Sequence, residues 1–468
     1  MHAAQREFFR RVAETVCTNP FSEDRLRRDA DIVGLGRDAS WDEVLVRLVA
    51  LIERQVTALA PLNVAALTPE LRESVELAVM FSCFQVSAPK CDAHIQDQLA
   101  HGGRPQRVSF ARDFMGTLTG YGFSDSEAAR YFAMSFQFRR AFYFIERTLP
   151  GDSPCMRKLR ESLWNNVFTY DIRLYANHLW RKMEDFSTFI LGETGAGKGT
   201  AAAAIGRSCF IPFDEKRQTF TESFVDAFTT VNLSQFAASL LESELFGHKK
   251  GAFTGAVEDH VGALGRCSPH GAIFLDEIGE VDVPVQIKLL HVLQDRRYTP
   301  VGSHSPARFS GRIVAATNQS LDALRESGKF RDDFYYRLCS DVIRVPSLRE
   351  RIAEEPAELD VLLAFIVRRI LGEESPGIVA MVREAIERDL GASYAWPGNV
   401  RELEQCVRRV ILTRSYRGDT LRPAGATTAD DVLGDHCRRL YAELGTYGDV
   451  ARRLDLDWRT VKKYVTRA

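Results

Sequence analysis

Hydrophobic positions in the first third of the chain recur with the spacing of amphipathic helices. A capping box runs from Ser40 to Glu43, and the apolar residues behind it are Val44, Leu48, Leu51 and Ile52. Because these lie three or four positions apart, they fall on one helical face. Thr68 before Pro69 marks another helix start. We expect residues 1–163 to form an all-helical N-terminal domain.

A second capping box, from Ser124 to Glu127, opens a segment that is rich in aromatic residues. Its members are Tyr131, Phe132, Phe136, Phe138, Phe142, Tyr143 and Phe144. Two interpretations fit this pattern: a buried helix that packs against its neighbours, or the wall of a pocket for a ligand or partner.

From about residue 185 the pattern changes to short apolar runs separated by helical stretches. Residues 186–191, 272–275 and 313–316 read as buried strands, each followed by a polar or glycine-rich loop. Strands that alternate with helices predict a parallel α/β sheet with its chemistry at the carboxyl ends of the strands. We expect an α/β subdomain over 164–345, a helical subdomain over 346–415, a linker over 416–430 and a small helical domain over 431–468.

Composition narrows the class of protein. The 468 residues are 45% hydrophobic and 26% charged with a net charge of −2, which is typical of a folded globular protein and excludes a polycation. No run of 18 apolar residues occurs, and the first residues lack the apolar core of a signal peptide. The nine cysteines are scattered without a CxxC pair, so we expect reduced thiols, a cytoplasmic location and no membrane partner.

A glycine-rich loop follows the strand that ends at Leu191. It reads Gly192, Glu193, Thr194, Gly195, Ala196, Gly197 and Lys198. Such turns arise by chance, but a strand before and a helix after favour a loop whose amides wrap a phosphate chain while Lys198 reaches the β- and γ-phosphates. Gly199 stands where the general pattern has Ser or Thr for Mg²⁺. Thr200 could substitute, or a water could complete the shell of the ion.

Acidic and amide residues at two further strand ends supply the rest of a hydrolytic site. Asp276 ends one strand, where its carboxylate could hold Mg²⁺ directly or through water, and Glu277 could polarise the attacking water. Asn318 follows the next strand and is placed to hold that water or the γ-phosphate; the alternative is a turn-forming Asn.

The segment from Glu242 to Ala256, ESELFGHKKGAFTGA, closely resembles the signature of bacterial enhancer-binding proteins, the AAA+ ATPase activators of sigma-54 RNA polymerase. Within it, the hexapeptide is Gly251, Ala252, Phe253, Thr254, Gly255 and Ala256. The resemblance implies a surface loop whose tip contacts sigma-54 during ATP hydrolysis. A tight turn with a buried Phe is the alternative.

More of residues 164–412 resembles this family. The matching positions are Leu275–Glu280, Gln286, Leu289, Leu290, Pro300–Gly302 and Phe330–Leu338. The resemblance implies that Arg331 and Arg337 enter the ATP site of a neighbouring subunit, a task that suits a permanently charged, forked guanidinium. Either could instead form a surface ion pair.

The resemblance also implies roles for Arg401, in a motif of the helical lid subdomain, and for Asn232. Trp396–Glu404 is similar to the lid motif, in which Arg401 senses the γ-phosphate. Asn232 corresponds to the Asn that restrains the catalytic Glu until sigma-54 is engaged. Leu233 and Lys249 depart from the family pattern, in which Cys and Glu are usual, and Gly199 also stands where the family usually has Glu. Residues 211–228 are longer than in the family.

The last 35 or so residues read as a helix–turn–helix. Thr446–Leu454 and Asp457–Arg467 carry apolar positions that would pack two short helices, with Asp457 as N-cap and Asp455 in the turn. Residues 432–468 contain eight Lys or Arg and five Asp or Glu. Arg459 and Thr460 are the expected base-reading residues, and Lys462 and Lys463 the expected phosphate contacts. This segment resembles the Fis-type DNA-binding domain; a plain helical hairpin with a solvated basic face is the alternative.

Together these features predict an α/β AAA+ P-loop ATPase with a helical lid, an all-α N-terminal regulatory or sensory domain and a C-terminal helix–turn–helix. The resemblance implies a sigma-54-dependent activator that binds upstream double-stranded DNA, uses ATP and Mg²⁺, assembles as a hexameric ring and remodels sigma-54 RNA polymerase holoenzyme. Two other classes stay open: a DNA-binding regulator with a passive ATPase fold, and an AAA+ machine that acts on DNA or unfolded protein.

Overall fold

The computed structural model describes residues 1–36, 39–391 and 393–418, and then 433, 436–437, 440–441, 444–454 and 456–466. The described residues form two compact units. One contains Met1–Ser375 and Ala395–Gln405, and the other contains Pro376–Tyr394 and the described part of Cys406–Ala468. Residues 419–430 of the predicted linker and Asp455 of the predicted turn lie outside the described residues.

The N-terminal region is helical, as the apolar spacing predicts. Its helices are α1 (Ala3–Val16), α2 (Glu23–Val33), α3 (Trp41–Thr57), α4 (Pro69–His101), α5 (Ala111–Gly120), α6 (Asp125–Thr148), α7 (Pro154–Phe168) and α8 (Ile172–Leu174), followed by a π-helical turn, Tyr175–Leu179. At the start of α6 the Ser124 side chain accepts from the Glu127 backbone N–H, and Glu127 accepts from the Ser124 N–H in return. Both capping partners were predicted from the sequence.

The strands are β1 (Thr188–Leu191), β2 (Phe213–Asp214), β3 (Thr219–Phe220), β4 (Phe228–Asn232), β5 (Ala272–Asp276), β6 (Arg297–Tyr298), β7 (Ala307–Arg308), β8 (Arg312–Thr317) and β9 (Asp341–Arg344). Five of them form a parallel sheet in the order β4-β5-β8-β1-β9, while β2-β3 and β6-β7 are separate antiparallel hairpins. Since the strands are parallel, their carboxyl ends meet at one edge of the sheet.

Helices accompany and follow the sheet. They are α9 (Lys198–Gly206), α10 (Ala238–Phe246), α11 (Ala263–Arg266), α12 (Val283–Asp295), α13 (Leu321–Glu326), α14 (Asp332–Leu338), α15 (Leu348–Glu354), α16 (Glu358–Leu371), α17 (Pro376–Asp389), α18 (Asn399–Thr413), α19 (Tyr447–Leu454) and α20 (Trp458–Thr466). A parallel sheet followed by helical segments confirms the predicted AAA+ P-loop fold class. None of the helices in the described ranges is both long and apolar enough to cross a membrane.

Alternate residues of each central strand enter two different cores. Phe189 of β1 and Ile273 of β5 belong to one core, whereas their neighbours Ile190 and Phe274 belong to the other. This alternation follows from the two-residue period of a strand. The second core continues without a break into the N-terminal helices, so the helical region and the sheet are stabilised together.

The segment 211–228 has a packing role. Its hairpin presents Phe213 and Phe220 to α6, where the ring centroids of Phe136 and Phe220 lie 4.5 Å apart and those of Phe132 and Phe213 lie 4.8 Å apart. The Val108 N–H also donates to the Gln218 carbonyl at 2.9 Å. The hairpin of this segment therefore packs aromatic rings against helix α6 of the N-terminal region.

Two buried side chains of α6 bind the turn that follows α9. Gln137 Nε2 donates to the Ser208 carbonyl at 2.8 Å, and the Arg140 guanidinium donates to the Cys209 carbonyl. Arg140 is only 1% exposed, and burial lowers the pKa of its guanidinium to about 10. The guanidinium thus stays charged at neutral pH in contact with carbonyl and aromatic groups.

A polar network joins α7 to the amino ends of three strands. Asn166 Nδ2 donates to Thr188 Oγ1 at 3.0 Å and to Asp341 Oδ2 at 2.6 Å. Arg312 of β8 in turn donates to Asn166 Oδ1 at 2.9 Å. Because Asn166, Thr188 and Arg312 are buried and mutually bonded, they fix α7 against the sheet.

Candidate functional site

The glycine-rich loop between β1 and α9 is shaped by close backbone approaches. A Cβ at Gly192 would lie 2.9 Å from the Val345 carbonyl oxygen, and one at Gly195 would lie 2.2 Å from the Gly398 carbonyl oxygen. Gly195 and Gly197 also have φ of 78° and 113°, values that disfavour a side chain. The loop from Gly192 to Gly197 therefore has the conformation that a phosphate-wrapping turn requires.

Lys198 is the first residue of α9 and is buried against this loop. Its Nζ donates to the Gly192 carbonyl at 2.9 Å and to the Glu193 carbonyl at 3.2 Å. Burial lowers the pKa of this ammonium, and the carboxylates of Glu277 and Asp276 oppose that shift. The loop lysine and the strand-end acids therefore lie close enough for their charges to interact.

Asp276 and Glu277 lie at the carboxyl end of β5. The Asp276 backbone pairs with Asn232 on one side and Ala316 on the other. Glu277 has a left-handed φ of 57°, which turns the chain sharply after the strand. Its N–H donates to Asp276 Oδ1 at 3.1 Å, and its own Oε2 accepts from the Asn318 N–H at 3.4 Å.

Asn318 connects the acidic strand end to the loop. Its Nδ2 donates to Thr194 Oγ1 at 2.8 Å while its backbone N–H contacts Glu277. Asn232 also lies at this edge, but its Oδ1 accepts from the backbone and hydroxyl of Ser234 at 3.1 and 2.8 Å. In this structure Glu277 is thus oriented by Asn318, and the Asn232 oxygen caps its own turn.

The donor set fits a magnesium nucleotide. Loop amides and Lys198 offer positive groups to phosphates, and the Asp276 carboxylate is the kind of ligand that Mg²⁺ prefers. A Cβ at Gly199 would meet only the Phe274 ring, at 3.8 Å, so crowding does not require glycine there. Thr200, one residue further, is half-buried and supplies the nearest hydroxyl in the sequence of α9.

The lid motif is bound to the loop through a residue that the sequence did not single out. Asn399 is fully buried, with φ of 55°, and its Nδ2 donates to the Thr194 carbonyl and to Glu193 Oε2, each at 3.1 Å. The Asn399 Oδ1 accepts from the Leu348 N–H at 2.8 Å. Its position inside the motif Trp396–Glu404 was the feature of the sequence that could have identified Asn399 as a site residue.

Arg401 and Glu193 extend this connection. The Arg401 N–H donates to the Gly195 carbonyl at 3.3 Å, and its positive charge contributes to lowering the pKa of Lys198 after the larger effect of burial. Glu193 pairs with Arg349, with one N–O distance of 2.7 Å. The predicted sensor Arg401 therefore lies close to the glycine-rich loop and to Lys198.

The two predicted trans-acting arginines lie on α14 and at its start. Arg331 is partly exposed and pairs with Asp333 at 2.7 Å, while Arg337 donates to the Leu293 carbonyl at 3.1 and 3.2 Å. Gln286 was matched to the family without a role; its Oε1 accepts from the Arg331 N–H at 3.0 Å and its Nε2 donates to the Val281 and Lys329 carbonyls. Gln286 therefore positions the backbone that carries Arg331.

Residues Gly251–Ala256 form the tip of an exposed loop. The Gly251 N–H donates to the Ala256 carbonyl at 2.8 Å, and Gly251 and Gly255 have φ of 83° and 103°. Phe253 is 38% exposed and Thr254 is exposed. The tip is thus a closed turn that presents Phe253 and Thr254 outward, whereas the alternative of a buried Phe does not match this exposure.

Hydrogen bonds and an ion pair hold the base of the loop, and close packing holds Ala252 of the tip. His248 and His260 exchange backbone hydrogen bonds at 3.0 and 2.9 Å, and Lys249 Nζ pairs with Asp259 at 2.6 Å. Gly302 packs so closely that a Cβ there would lie 2.7 Å from the Ala252 Cβ.

The C-terminal helices α19 and α20 share a small core of Cys437, Leu440, Val450, Ala451, Val461 and Tyr464. Asp457 Oδ1 accepts from the Arg459 N–H at 2.8 Å, which is the predicted N-cap of α20. Arg459, Lys462 and Lys463 are exposed and Thr460 is half-buried. All four predicted DNA-facing residues therefore belong to the last helix, on or near its surface.

The α/β part of the chain matches a known family of protein domains. Residues 173–344 match the family model of the Sigma-54 interaction domain. The Nif-specific regulatory protein of Azotobacter vinelandii is 38% identical over 275 residues, which cover 58% of this chain and 45% of that protein. The DNA-binding transcriptional regulator NtrC of Azospirillum brasilense is 39% identical over 247 residues, which cover 53% of this chain and 47% of that protein.

The chain spans about half the length of the curated relatives it matches. Among solved structures, NtrX from Brucella abortus is 20% identical and overlaps 82% of this chain and 84% of that chain, at a TM-score of 0.44. The α/β region of this chain, with its loop, strand-end acids and exposed tip, is therefore similar to the sigma-54 interaction domains of transcriptional regulators.

Proposed function

We propose that this protein is a sigma-54-dependent transcriptional activator that hydrolyses ATP to convert a closed promoter complex into an open one. The observation that carries the proposal is the convergence of Lys198, Asp276, Glu277 and Asn318 at one edge of the sheet. The same α/β region presents the exposed loop 251–256. A hydrolytic site and an exposed contact loop on one domain suit an ATP-driven remodeller.

The chain supplies groups for binding, orientation and proton handling. Lys198 would exchange its contacts with the Gly192 and Glu193 carbonyls for the phosphates of ATP, because phosphate oxygens are stronger acceptors for an ammonium. Glu277, held by the Asn318 N–H, would accept a proton from the attacking water. Mg²⁺ at Asp276 would neutralise charge on the phosphates.

A neighbouring subunit would complete the site. Arg331 is held to Asp333 at the surface, and we infer that it and Arg337 turn toward the phosphates of an adjacent copy in a ring, taken to be a hexamer. A guanidinium from another subunit makes hydrolysis depend on assembly. We also propose a second conformation in which the Asn232 side chain leaves Ser234 and restrains Glu277.

The loop and the last helix would supply the two macromolecular contacts. Phe253 and Thr254 at the loop tip would contact sigma-54, with Phe253 giving an apolar contact and Thr254 a polar one. The exposed Arg459, Lys462 and Lys463 of α20, together with Thr460, would bind DNA upstream of the promoter. The protein would thus bring its ATPase close to polymerase through DNA.

Open-complex formation on a supercoiled sigma-54 promoter tests this proposal. The full chain is used, because the N-terminal helices share a core with the sheet and their removal would expose that core. With sigma-54 holoenzyme and ATP, permanganate reactivity should appear at the melted bases. Glu277→Gln should lower both ATP hydrolysis and melting by about 100-fold or more, and Thr254→Ala should abolish melting while ATP hydrolysis continues.

Glu258→Gln is the matched control, since Glu258 is exposed just outside the hexapeptide and should leave both activities unchanged. Rapid ATP hydrolysis without melting at any protein concentration would mean that another substrate receives the work. A Thr254→Ala variant with undiminished melting would exclude the loop as the sigma-54 contact.

A further inference from the structure

A cavity of about 420 Å³ lies among the N-terminal helices, separate from the nucleotide site. Helices α3, α4, α6 and α7 and the π-helical turn contribute its walls. Its aromatic lining includes Trp41, Phe81, Tyr131, Phe138, Phe142 and Trp164. The volume and the aromatic walls are those of a site for a small organic molecule.

The aromatic helix α6 serves two purposes on opposite faces. Phe132, Phe136 and Phe144 are buried in the shared core, whereas Tyr131, Phe138 and Phe142 line the cavity. At about 100° per residue the two sets lie on opposite sides of the helix. Both interpretations of the aromatic segment, a packing face and a pocket wall, therefore apply to the same helix.

The three arginines that line the cavity are already paired with carboxylates. Arg25 binds Asp29 at 2.6 Å, Arg139 binds Asp92 at 2.6 Å, and Arg173 binds Asp171 at 2.7 Å. Glu73 and Asp42 add negative charge to the lining. Cys17 also lines the cavity, and burial raises the pKa of its thiol to about 12, so it stays neutral. These walls favour an uncharged ligand over an anion.

One donor of the lining lacks a partner within the described part of the chain. Trp164 is only 4% exposed, and its indole Nε1–H makes no hydrogen bond to the described residues. A buried donor is usually bonded, and an unpaired one is costly. The Nε1 atom is covered by its neighbours, so a ligand that carries an acceptor would satisfy it by shifting the indole toward the cavity.

We propose that this cavity binds a flat, uncharged, apolar molecule with one hydrogen-bond acceptor, to which Trp164 donates. The ligand would contact one face of α6, whose other face binds the Ser208 and Cys209 carbonyls behind α9 through Gln137 and Arg140. Occupancy of the cavity would therefore act on the helix that begins with Lys198. The proposal goes beyond the proposed function and holds whether or not sigma-54 receives the work.

Two fluorescent probes test it on the full chain without ATP or polymerase. The first is 6-propionyl-2-(dimethylamino)naphthalene, which is flat, neutral and has a ketone acceptor; the second is 2-(dimethylamino)naphthalene, which lacks the ketone. Saturable binding of the first probe with a blue-shifted emission is expected. Trp164→Phe should weaken its affinity by about threefold to tenfold and leave the second probe unchanged, because only one hydrogen bond is lost.

Variants that fill the cavity with a larger side chain supply a second test of where the probes bind. Ala176→Trp, at a half-buried position of the lining, should abolish binding of both probes. Gln85→Trp, on α4, fills the cavity from another wall and is used if Ala176→Trp fails to fold. Trp180→Phe is the matched control, since Trp180 lines a different cleft and should change neither affinity.

Thermal unfolding verifies that each variant is folded. Loss of binding in a folded filling variant supports the cavity as the site. Absence of saturable binding to the unmodified chain, binding that survives both filling variants, or an equal loss of both probes in Trp164→Phe would each overturn the proposal.

Discussion

The two ends of α9 are held by different kinds of contact. At its start, Lys198 and the glycine loop face the strand-end acids, and Asn399 binds the loop to the lid motif. Beyond its end, the Ser208 and Cys209 carbonyls accept hydrogen bonds from Gln137 and Arg140 of α6. One short helix therefore lies between the nucleotide site and the N-terminal helices.

The contacts at the start of α9 and those beyond its end restrict the sequence in different ways. Phosphate chemistry restricts the residue types at the start of α9, whereas the turn after it is fixed by packing and by buried polar bonds that many residue sets could provide. Because a helix transmits displacement along its axis, a change at α6 is expected to be felt at Lys198. Substitutions at the two ends should therefore differ in kind: loss of chemistry at one end and loss of stability at the other.

The largest expected effect comes from Lys198→Ala at the start of α9. Removing the ammonium should lower ATP hydrolysis by about 100-fold or more, because the phosphates lose their positive partner. The rate of phosphate release measures this. The matched control is Lys216→Ala in the exposed β2-β3 turn, which should keep the rate of the unmodified protein. Undiminished hydrolysis in Lys198→Ala would remove the loop from the proposed site.

A smaller effect, on stability, is expected from Gln137→Leu behind α9. The change leaves the Tyr175 hydroxyl and the Ser208 carbonyl without their partner, each now bonded to Gln137 at 2.8 Å. We expect the free energy of unfolding to fall by about 2–4 kcal/mol, as measured from the urea dependence of unfolding. Arg147→Gln, at an exposed position of α6, is the control and should change it by less than about 0.5 kcal/mol.

Gln137→Leu and its control Arg147→Gln can also contradict the difference proposed between the two ends of α9. A Gln137→Leu protein as stable as the unmodified chain would show that α6 does not hold the turn behind α9. Measuring ATP affinity in this variant then separates a purely structural contact from one that reaches the nucleotide site.

The smallest effect is expected from Glu193→Gln in the loop. Hydrogen bonds from Arg349 and Asn399 lower the pKa of the Glu193 carboxyl. Since a lowered carboxyl pKa adds stability above the unfolded value of about 4.3, this contribution is lost only as the pH falls through the folded value. The exposed ion pair should contribute about 0.5 kcal/mol or less.

The urea midpoint of Glu193→Gln should therefore differ from that of the unmodified chain by a constant amount between pH 6 and 8. Both pKa values lie below that window. A gap that opens or closes within it would contradict the assignment of Glu193 as an ionised bridge between loop and lid.

Much of the fold and the candidate site follows from local sequence. The capping partners Ser124 and Glu127, the strand cores and the loop from Gly192 to Lys198 were predicted at the positions the structure shows. Strand limits differed by a residue or two, with β1 beginning at Thr188 rather than 186. The proposed roles of the site residues stay predictions, since their geometry alone does not measure activity.

Other features depended on contacts between distant segments. Asn399 binding to Glu193 joins residues 206 positions apart, and no local pattern marks that pairing. The length of 211–228 was visible in the sequence, but its aromatic packing against α6 was not. Periodicity indicates that a face is buried without identifying its partner.

Local sequence was enough to predict the main elements, the glycine-rich loop and the strand-end acids, because local propensity and phosphate chemistry restrict residue types at fixed spacing. The resemblance to a known family pointed to the hexapeptide. Contacts between distant segments were needed to show that the N-terminal helices share a core with the sheet and that Asn399 joins the lid motif to the loop. The same holds for α6, of which one face lines a cavity while the other holds the turn behind α9. Those features depend on which apolar faces and buried polar groups meet across long sequence separations, and many pairings satisfy the same local pattern.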